Sequence, residues 1–459
     1  MTTAEQVTHR AEDRFRATTL HDAMPPVDYD RLPPGPSWPA LLQTIAMFRF
    51  RHTFVPWMHR KYGDVFTVRL LPGSRPLVLH ARPEHAKEIF AGDPEVFHAG
   101  KGNAVLGPVM GEHSLLLQDG AEHRRARRLL MPAFNGAALH GYEELVAEVA
   151  RDEVDRWVPG ESFRALERMN ALTLEVILRV VFGVTDETRL ARLRPRVNRT
   201  VDINPVILLG WAMPRLQRLG PWRRTVANQV ELDRLMYAEI DERRAAPDLA
   251  ERTDVLSRLI RIDEEGDTLA DTELRDQLVT LLLAGHETTA SALSWALFEL
   301  GRDREPLARA RKAAAEDDRT WLEAVLKESM RLHPVIPMVV RTLMAPATVG
   351  GREYPLGTTV GPSIILAHAS AENHPDPEAF RPGRFLELHG NRVGPAANTW
   401  IPFGGGVRRC IGAGFSLMEG VAVLREVLSR YDVVAVEDDE PRVRNITSVP
   451  RHGARVVVR

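Results

Sequence analysis

Apolar residues recur with a helical period through the middle of this chain and fall into short runs towards both ends. Val65–Leu71 and Leu77–His80 are partly alternating runs around Pro72-Gly-Ser-Arg75, which predicts a β-hairpin. Pro83–Phe90 has helical spacing. Residues 98–120 are rich in glycine and small side chains and predict a long irregular loop, a kind of segment that is usually functional. Helical patterns follow at Glu122–Met131, Tyr142–Trp157, Arg168–Phe182, Trp222–Arg244 and Asp271–Leu300. Between them Ile203–Trp222 is apolar but broken by Pro205, Gly210, Pro214 and Gly220, so two short segments are expected, with Ile207–Trp211 either a lid or plain core.

Thr320–Leu332 is a further helix, stopped by Pro334, which cannot donate an amide hydrogen bond. β signals return at Val339–Leu343, Ala347–Val349 and Gly357–Ile365. Asn373–Phe385 reads as loop, Gly414–Tyr431 as helix, and Val433–Val436 and Ala454–Val458 as late strands. The order predicts a mainly α fold in which early and late strands pair. Its smaller β-rich lobe lies mainly at about 60–95 and 336–370, its helical lobe mainly at about 120–334 and 410–431. Residues 1–32 are expected to be a tail, and the stiff Leu32-Pro-Pro-Gly-Pro36 opens a single folded domain, 33–459.

Composition narrows the function little. A net charge of −2 over 459 residues gives no basic excess that would point to nucleic acid. One cysteine excludes an intramolecular disulfide framework and fits a reducing cytoplasm. No apolar run approaches the ~20 residues of a spanning helix, so no membrane anchor is expected. A cytoplasmic location and a monomer are also expected.

Chemistry concentrates at a few places. Ala284-Gly-His-Glu-Thr-Thr289 stands at the midpoint of the longest helix, where glycine and β-branched threonines are weak formers. A packing glycine beside an acidic turn is the bland account; a functional site is the sharper one. Glu328 and Arg331 form an i, i+3 opposite-charge pair. His123 and Arg127 share a helix face within the run His123-Arg-Arg-Ala-Arg-Arg128, either a solvated basic face or an anion site. Cys410 lies in Phe403-Gly-Gly-Gly-Val-Arg-Arg-Cys-Ile-Gly412, just before a helix whose amides favour a thiolate. As a nucleophile it would need His374 or His452, which nothing ties to it; a zinc site would need more ligands. A single axial thiolate to haem iron needs one cysteine only, and the local spacing favours that.

Phe403-x-x-Gly406-x-Arg408-x-Cys410-x-Gly412 resembles the haem-binding signature of the cytochrome P450 family. Ala284-Gly285-x-Glu287-Thr288 is similar to the family's oxygen-activating helix motif, and Glu328-x-x-Arg331 to its buried ion pair. Phe380-Arg-Pro-Gly-Arg384-Phe385 resembles the segment that supplies that pair's second arginine, although Gly383 stands where glutamate is common. His123, Arg127 and Arg341 match propionate-binding positions. The motifs occur in the family's order from about residue 33 to the end.

The resemblance implies a large helical domain around a buried haem b, with Cys410 as axial ligand of the iron. It implies that His123, Arg127, Arg341 and Arg408 neutralise the propionates, that Ala284 and Gly285 leave room for dioxygen, and that Glu287 and Thr288 deliver protons. Glu328, Arg331 and Arg384 would be structural. The implied activity is monooxygenation of an apolar small molecule, by hydroxylation or epoxidation, with electrons from a separate ferredoxin or flavodoxin. Arg124, Arg125, Arg128 and Arg409 are expected to form a basic patch for that acidic partner. Substrate contacts are expected from 98–118, 203–222, the helix before Ala284, 335–340 and 446–449. A peroxide-driven peroxygenase and a non-catalytic haem-based ligand-binding protein are the rival readings.

Overall fold

The computed structural model describes residues 27–71, 75–184, 186–201, 219–263, 266–389 and 392–459. Most of the apolar Ile203–Trp222 stretch, including the expected lid, lies outside them. By internal contacts the chain divides into two compact units, each built from separate stretches of sequence. One takes His98–Gly141 and Leu174–His286; the other takes the described residues up to Phe97, Tyr142–Thr173 and Glu287–Arg459.

The second unit carries the main sheet. Four of its strands run in the order Val65–Leu70, Arg75–His80, Thr359–Pro362, Arg341–Leu343. The hairpin pairs antiparallel with Val68 opposite Leu77. Arg75–His80 then pairs parallel with the late strand, Leu79 opposite Gly361, so early and late strands do join. Leu77, Val78 and Leu79 are all buried because both faces of this strand are covered. Leu77 and Leu79 enter a cluster with Met47, Phe54, Met58 and Phe66. Val78 points the other way, to Leu32, Ile89, Tyr354 and Val360. Val27 and Tyr29, from the stretch expected to be a tail, pack on that second cluster.

Two helices in this unit, Ala40–Arg49 and Arg51–Tyr62, have no counterpart in the expectation. Pro56 lies inside the second and reads as a breaker, while its basic residues blur the period. Burial of Phe54, Val55 and Met58 overrides that weak propensity. The strand expected over Gly357–Ile365 stops at Pro362. There the chain turns into helix Ile364–Ala369, whose first turn Ser363 caps through its hydroxyl. The late strands form where expected, as Val433–Ala435 and Arg455–Val458, and pair with each other, with Ser162–Arg164 added on the far edge.

The first unit is helical, with Gly120–Leu130, Glu187–Val201, Gly220–Ala245 and Val255–Arg261. Residues 98–120 hold short helical turns, Ala99–Gly102 and Gly107–Met110, in place of a wholly irregular loop. Helix Asp271–Arg302 belongs to the first unit up to His286 and to the second from Glu287. No helix among the described residues is long and apolar enough to cross a membrane.

Candidate active site

Cys410 closes a tight loop in the second unit. Its amide donates to the Phe403 carbonyl at 2.9 Å, and the Arg409 amide to that of Gly406 at 3.1 Å. Gly406 has φ +64°, and a Cβ there would lie 2.0 Å from the Phe90 carbonyl oxygen. A Cβ on Gly405 would meet the Phe90 ring at 2.3 Å. The glycines therefore let the loop lie directly on the end of helix Pro83–Ala91. Cys410 is exposed just before helix Ala413–Leu428, and a Cβ on Gly412 would meet nothing within 4 Å. Among the described residues no cluster of protein side chains could by itself hold a metal ion. One exposed sulfur at a helix start, flanked by open space, fits the axial ligand of an iron whose other ligands come from a porphyrin.

The chain leading into that loop is held from below. Glu328, fully buried, accepts from Arg331 through both oxygens at 2.8 and 2.9 Å and from Arg384 Nε at 2.9 Å. The Arg381 amide donates to the same carboxylate at 2.9 Å. Both guanidiniums spend their remaining donors on carbonyls between His368 and Ala379. A Cβ on Gly383 would meet nothing within 4 Å, so the unusual residue leaves the triad intact. Two histidines that sequence reasoning did not assign to this support extend it. His368 Nε2 accepts from the Ile401 amide at 2.9 Å, and His374 Nε2 binds the Thr399 carbonyl at 3.1 Å. Burial, with His374 and Arg331 nearby, pushes the His368 imidazole well below its ordinary range, so it stays neutral and able to accept. His374 is thus occupied at Thr399.

Helix Asp271–Arg302 is buried along most of its length. Ala284 is exposed, Gly285 and Thr288 are half-buried, and Glu287 is buried. Within the first unit, a Cβ on Gly285 would lie 3.0 Å from Ile177, so the glycine also admits a close packing neighbour. In the second, Arg444 Nε lies 3.3 Å from Glu287 Oε1, and Thr447 Oγ is 3.5 Å from the same oxygen. Neither partner was visible in the sequence, because each is more than 150 residues away. Arg51 donates to the carbonyls of Asn445, Ile446 and Thr447, fixing the turn that presents them. Thr289 Oγ donates to Ser416 in the cysteine helix at 3.1 Å. Burial pushes the neighbouring Glu419 carboxyl up to about 8, opposed by its hydrogen bond with Thr289.

Four cations were expected around propionates. Arg341 is buried in strand Arg341–Leu343 and Arg408 is half-buried in the turn before Cys410. In the other unit, His123 is buried and Arg127 half-buried, one turn apart on helix Gly120–Leu130. The basic run beside them differs from expectation. Arg125 pairs with Asp267 Oδ1 at 2.8 Å and with Glu273, and Arg128 pairs with Asp267 Oδ2 at 2.8 Å. These acids neutralise two of the arginines foreseen as a docking patch.

The family model for cytochrome P450 matches residues 33–456. The chain is 53% identical over 429 residues to a provisionally named cytochrome P450 135A1 of Mycobacterium tuberculosis, covering 93% of this chain and 94% of that one. It is 42% identical over 439 residues to a cytochrome P450 135B1 of Mycobacterium bovis, covering 93% and 91%. Among solved structures, a retinoic-acid-bound cyanobacterial CYP120A1 superposes with a TM-score of 0.82 at 22% identity, over 95% of this chain and 100% of that one. The fold is that of haem-thiolate monooxygenases. The chain belongs to the cytochrome P450 family, whose members use haem iron as cofactor.

Proposed function

We propose that residues 33–459 form one haem domain, a monomeric cytoplasmic monooxygenase that binds haem b through the Cys410 thiolate. It inserts one oxygen atom of O2 into an apolar small molecule, by hydroxylation or epoxidation. The observation that carries this reading is the Cys410 loop, an exposed thiol on a glycine turn packed against Phe90. When bound, the haem would supply oxygen activation, and Cys410 would hold it through its thiolate.

The chain's own residues do the rest. Arg341, Arg408, His123 and Arg127 bind the propionates by charge-assisted hydrogen bonds. Ala284 and Gly285 keep side-chain bulk off the middle of the long helix. Thr288 Oγ would pass a proton towards the reacting oxygen and recover one from the protonated Glu287 carboxyl, which solvent then reprotonates, with Arg444 holding the carboxylate in between. Glu328, Arg331 and Arg384 hold the cysteine loop. Overall RH, O2, two electrons and two protons give ROH and water. The electrons come from a separate ferredoxin or flavodoxin.

The substrate class follows from Val, Leu, Ile and Met in the segments expected to line the pocket. One superposable protein is described as binding retinoic acid, itself largely apolar, which makes that compound a reasonable first probe. The test supplies purified haem-loaded protein with a surrogate ferredoxin, its reductase and 18O2. One labelled oxygen in the product is expected. Product formed from hydrogen peroxide but never from O2 and reductant would instead establish a peroxygenase.

A further inference from the structure

Residues 109–115 are held by side chains of the long helix much as a peptide is held by a receptor. Arg275 is fully buried in the first unit. Its Nη1 donates to the Met110 carbonyl at 3.0 Å and to Asp276 Oδ1 at 2.8 Å, and its Nη2 to the Val109 carbonyl at 3.4 Å. Nε and Nη2 both bind Asp233 Oδ1 on helix Gly220–Ala245, Nε at 2.8 Å. Asp276 Oδ2 accepts from the His113 amide at 3.1 Å. One residue on, Gln277 accepts from the Leu115 amide at 3.1 Å and donates to the His113 carbonyl. A turn later, Thr280 Oγ donates to Ser114 Oγ at 2.7 Å. Gln229 adds a bond to the Val109 carbonyl at 3.2 Å.

The backbone of the segment is shaped for this contact. Gly111 has φ +90°, and a Cβ there would lie 2.1 Å from Asp276 Oδ1. Only glycine brings the chain so close to that carboxylate. Burial works against the Arg275 charge, but Asp233 and Asp276 outweigh it and hold the guanidinium above its ordinary value. The Arg275 guanidinium therefore stays charged at all physiological pH.

We propose that the Arg275–Thr280 face of the long helix fixes residues 109–115 as a rigid wall of the substrate pocket, with Arg275 and Gln277 as positioning residues that set how tightly ligand is confined. This rests on the proposed function, in which the 98–118 region lines the pocket. Ligand entry and exit then depend on parts of the chain other than 109–115. Loosening the wall changes ligand release and regioselectivity, not the proton delivery at Thr288.

The test compares wild type with Gln277→Leu and Arg275→Met, as haem-loaded proteins. Hydrogen–deuterium exchange reads the segment directly, and release of 4-phenylimidazole, followed by the Soret shift, reads confinement. Gln277→Leu removes two backbone contacts without stranding a charge, so it reports even if Arg275→Met fails to fold. Exchange in peptides covering 109–118 should rise about tenfold, with peptides of Arg319–Leu332 unchanged. Release of 4-phenylimidazole should quicken several-fold. Exchange that stays as in wild type, or rises equally throughout the protein, overturns the anchor. Faster local exchange with unchanged release overturns the wall. The exchange readout needs no turnover, so it stands apart from whether the monooxygenase reading holds.

Discussion

Glu287 is the residue whose surroundings say most about its work. It is buried, yet Arg444 reaches it from a hairpin near the end of the chain. An acid in that position can be exchanged between a held and a proton-passing state, which a solvated carboxylate would not need. Thr288→Ala and Glu287→Gln should each uncouple the enzyme, lowering product by about 100-fold while reductant consumption falls far less. Parallel assays of reductant and product would show it. Glu419 makes a second, separable claim. Its carboxyl, pushed up to about 8, keeps its proton in the folded protein while the unfolded chain ionises near the ordinary 4.5. A raised acid gives its full stability below pH 4.5 and loses it as pH climbs towards 8, so Glu419→Gln should gain on wild type across that window. Melting both proteins at pH 5 and pH 8 tests this; an equal difference at the two pH values would contradict it.

At the scale of elements, the cysteine loop and its supports form one device. Gly406→Ala would force a side chain into positive φ and within 2.0 Å of the Phe90 carbonyl oxygen, so either the loop or helix Pro83–Ala91 must shift. Weak haem retention with little change in helix content is the expected outcome, read from the ratio of Soret to protein absorbance. Glu328→Gln leaves two buried guanidiniums without their carboxylate, and a loss of about 3–5 kcal/mol is expected in denaturant unfolding. Much of this device is legible in the sequence. The spacing of Gly406, Arg408 and Cys410, and of Glu328 and Arg331, states local geometry, and the order of motifs states the family. What is not legible is long-range. Arg444 on Glu287, His368 under Ile401 and Arg275 on Met110 join positions far apart in the chain, and no local period records them. Helix Arg51–Tyr62 escapes notice for a related reason. Its Pro56 argues against it locally, and only the burial of Phe54 and Met58 argues for it.

For the molecule as a whole, charge is matched internally more than the composition suggests. Asp267 and Glu273 absorb Arg125 and Arg128, so an acidic redox partner has less free basic surface on that helix than the run of arginines implies. Buried histidines shape the response to acid. Burial, helped by His85, lowers His80 to about 3; burial, with Arg51 and His333, lowers His52 to about 4; burial lowers His374 to about 4. Each is neutral when folded and gains a proton near 6.5 when unfolded, so the stability they contribute is present above pH 6.5 and is lost as pH falls towards their folded values. His80→Phe should escape its share. Its stability relative to wild type should rise below pH 6.5 by up to about 1.4 kcal/mol per pH unit, seen in urea unfolding at pH 7.5 and 5.

The proposed activity stands on Cys410 as the ligand of haem iron. The optical spectrum of the reduced, CO-bound protein tests that claim most directly. The account predicts a strongly red-shifted Soret band in wild type that Cys410→Ser abolishes. A wild-type band at the position of histidine-ligated haem, or a purified protein that takes up no haem, would contradict it.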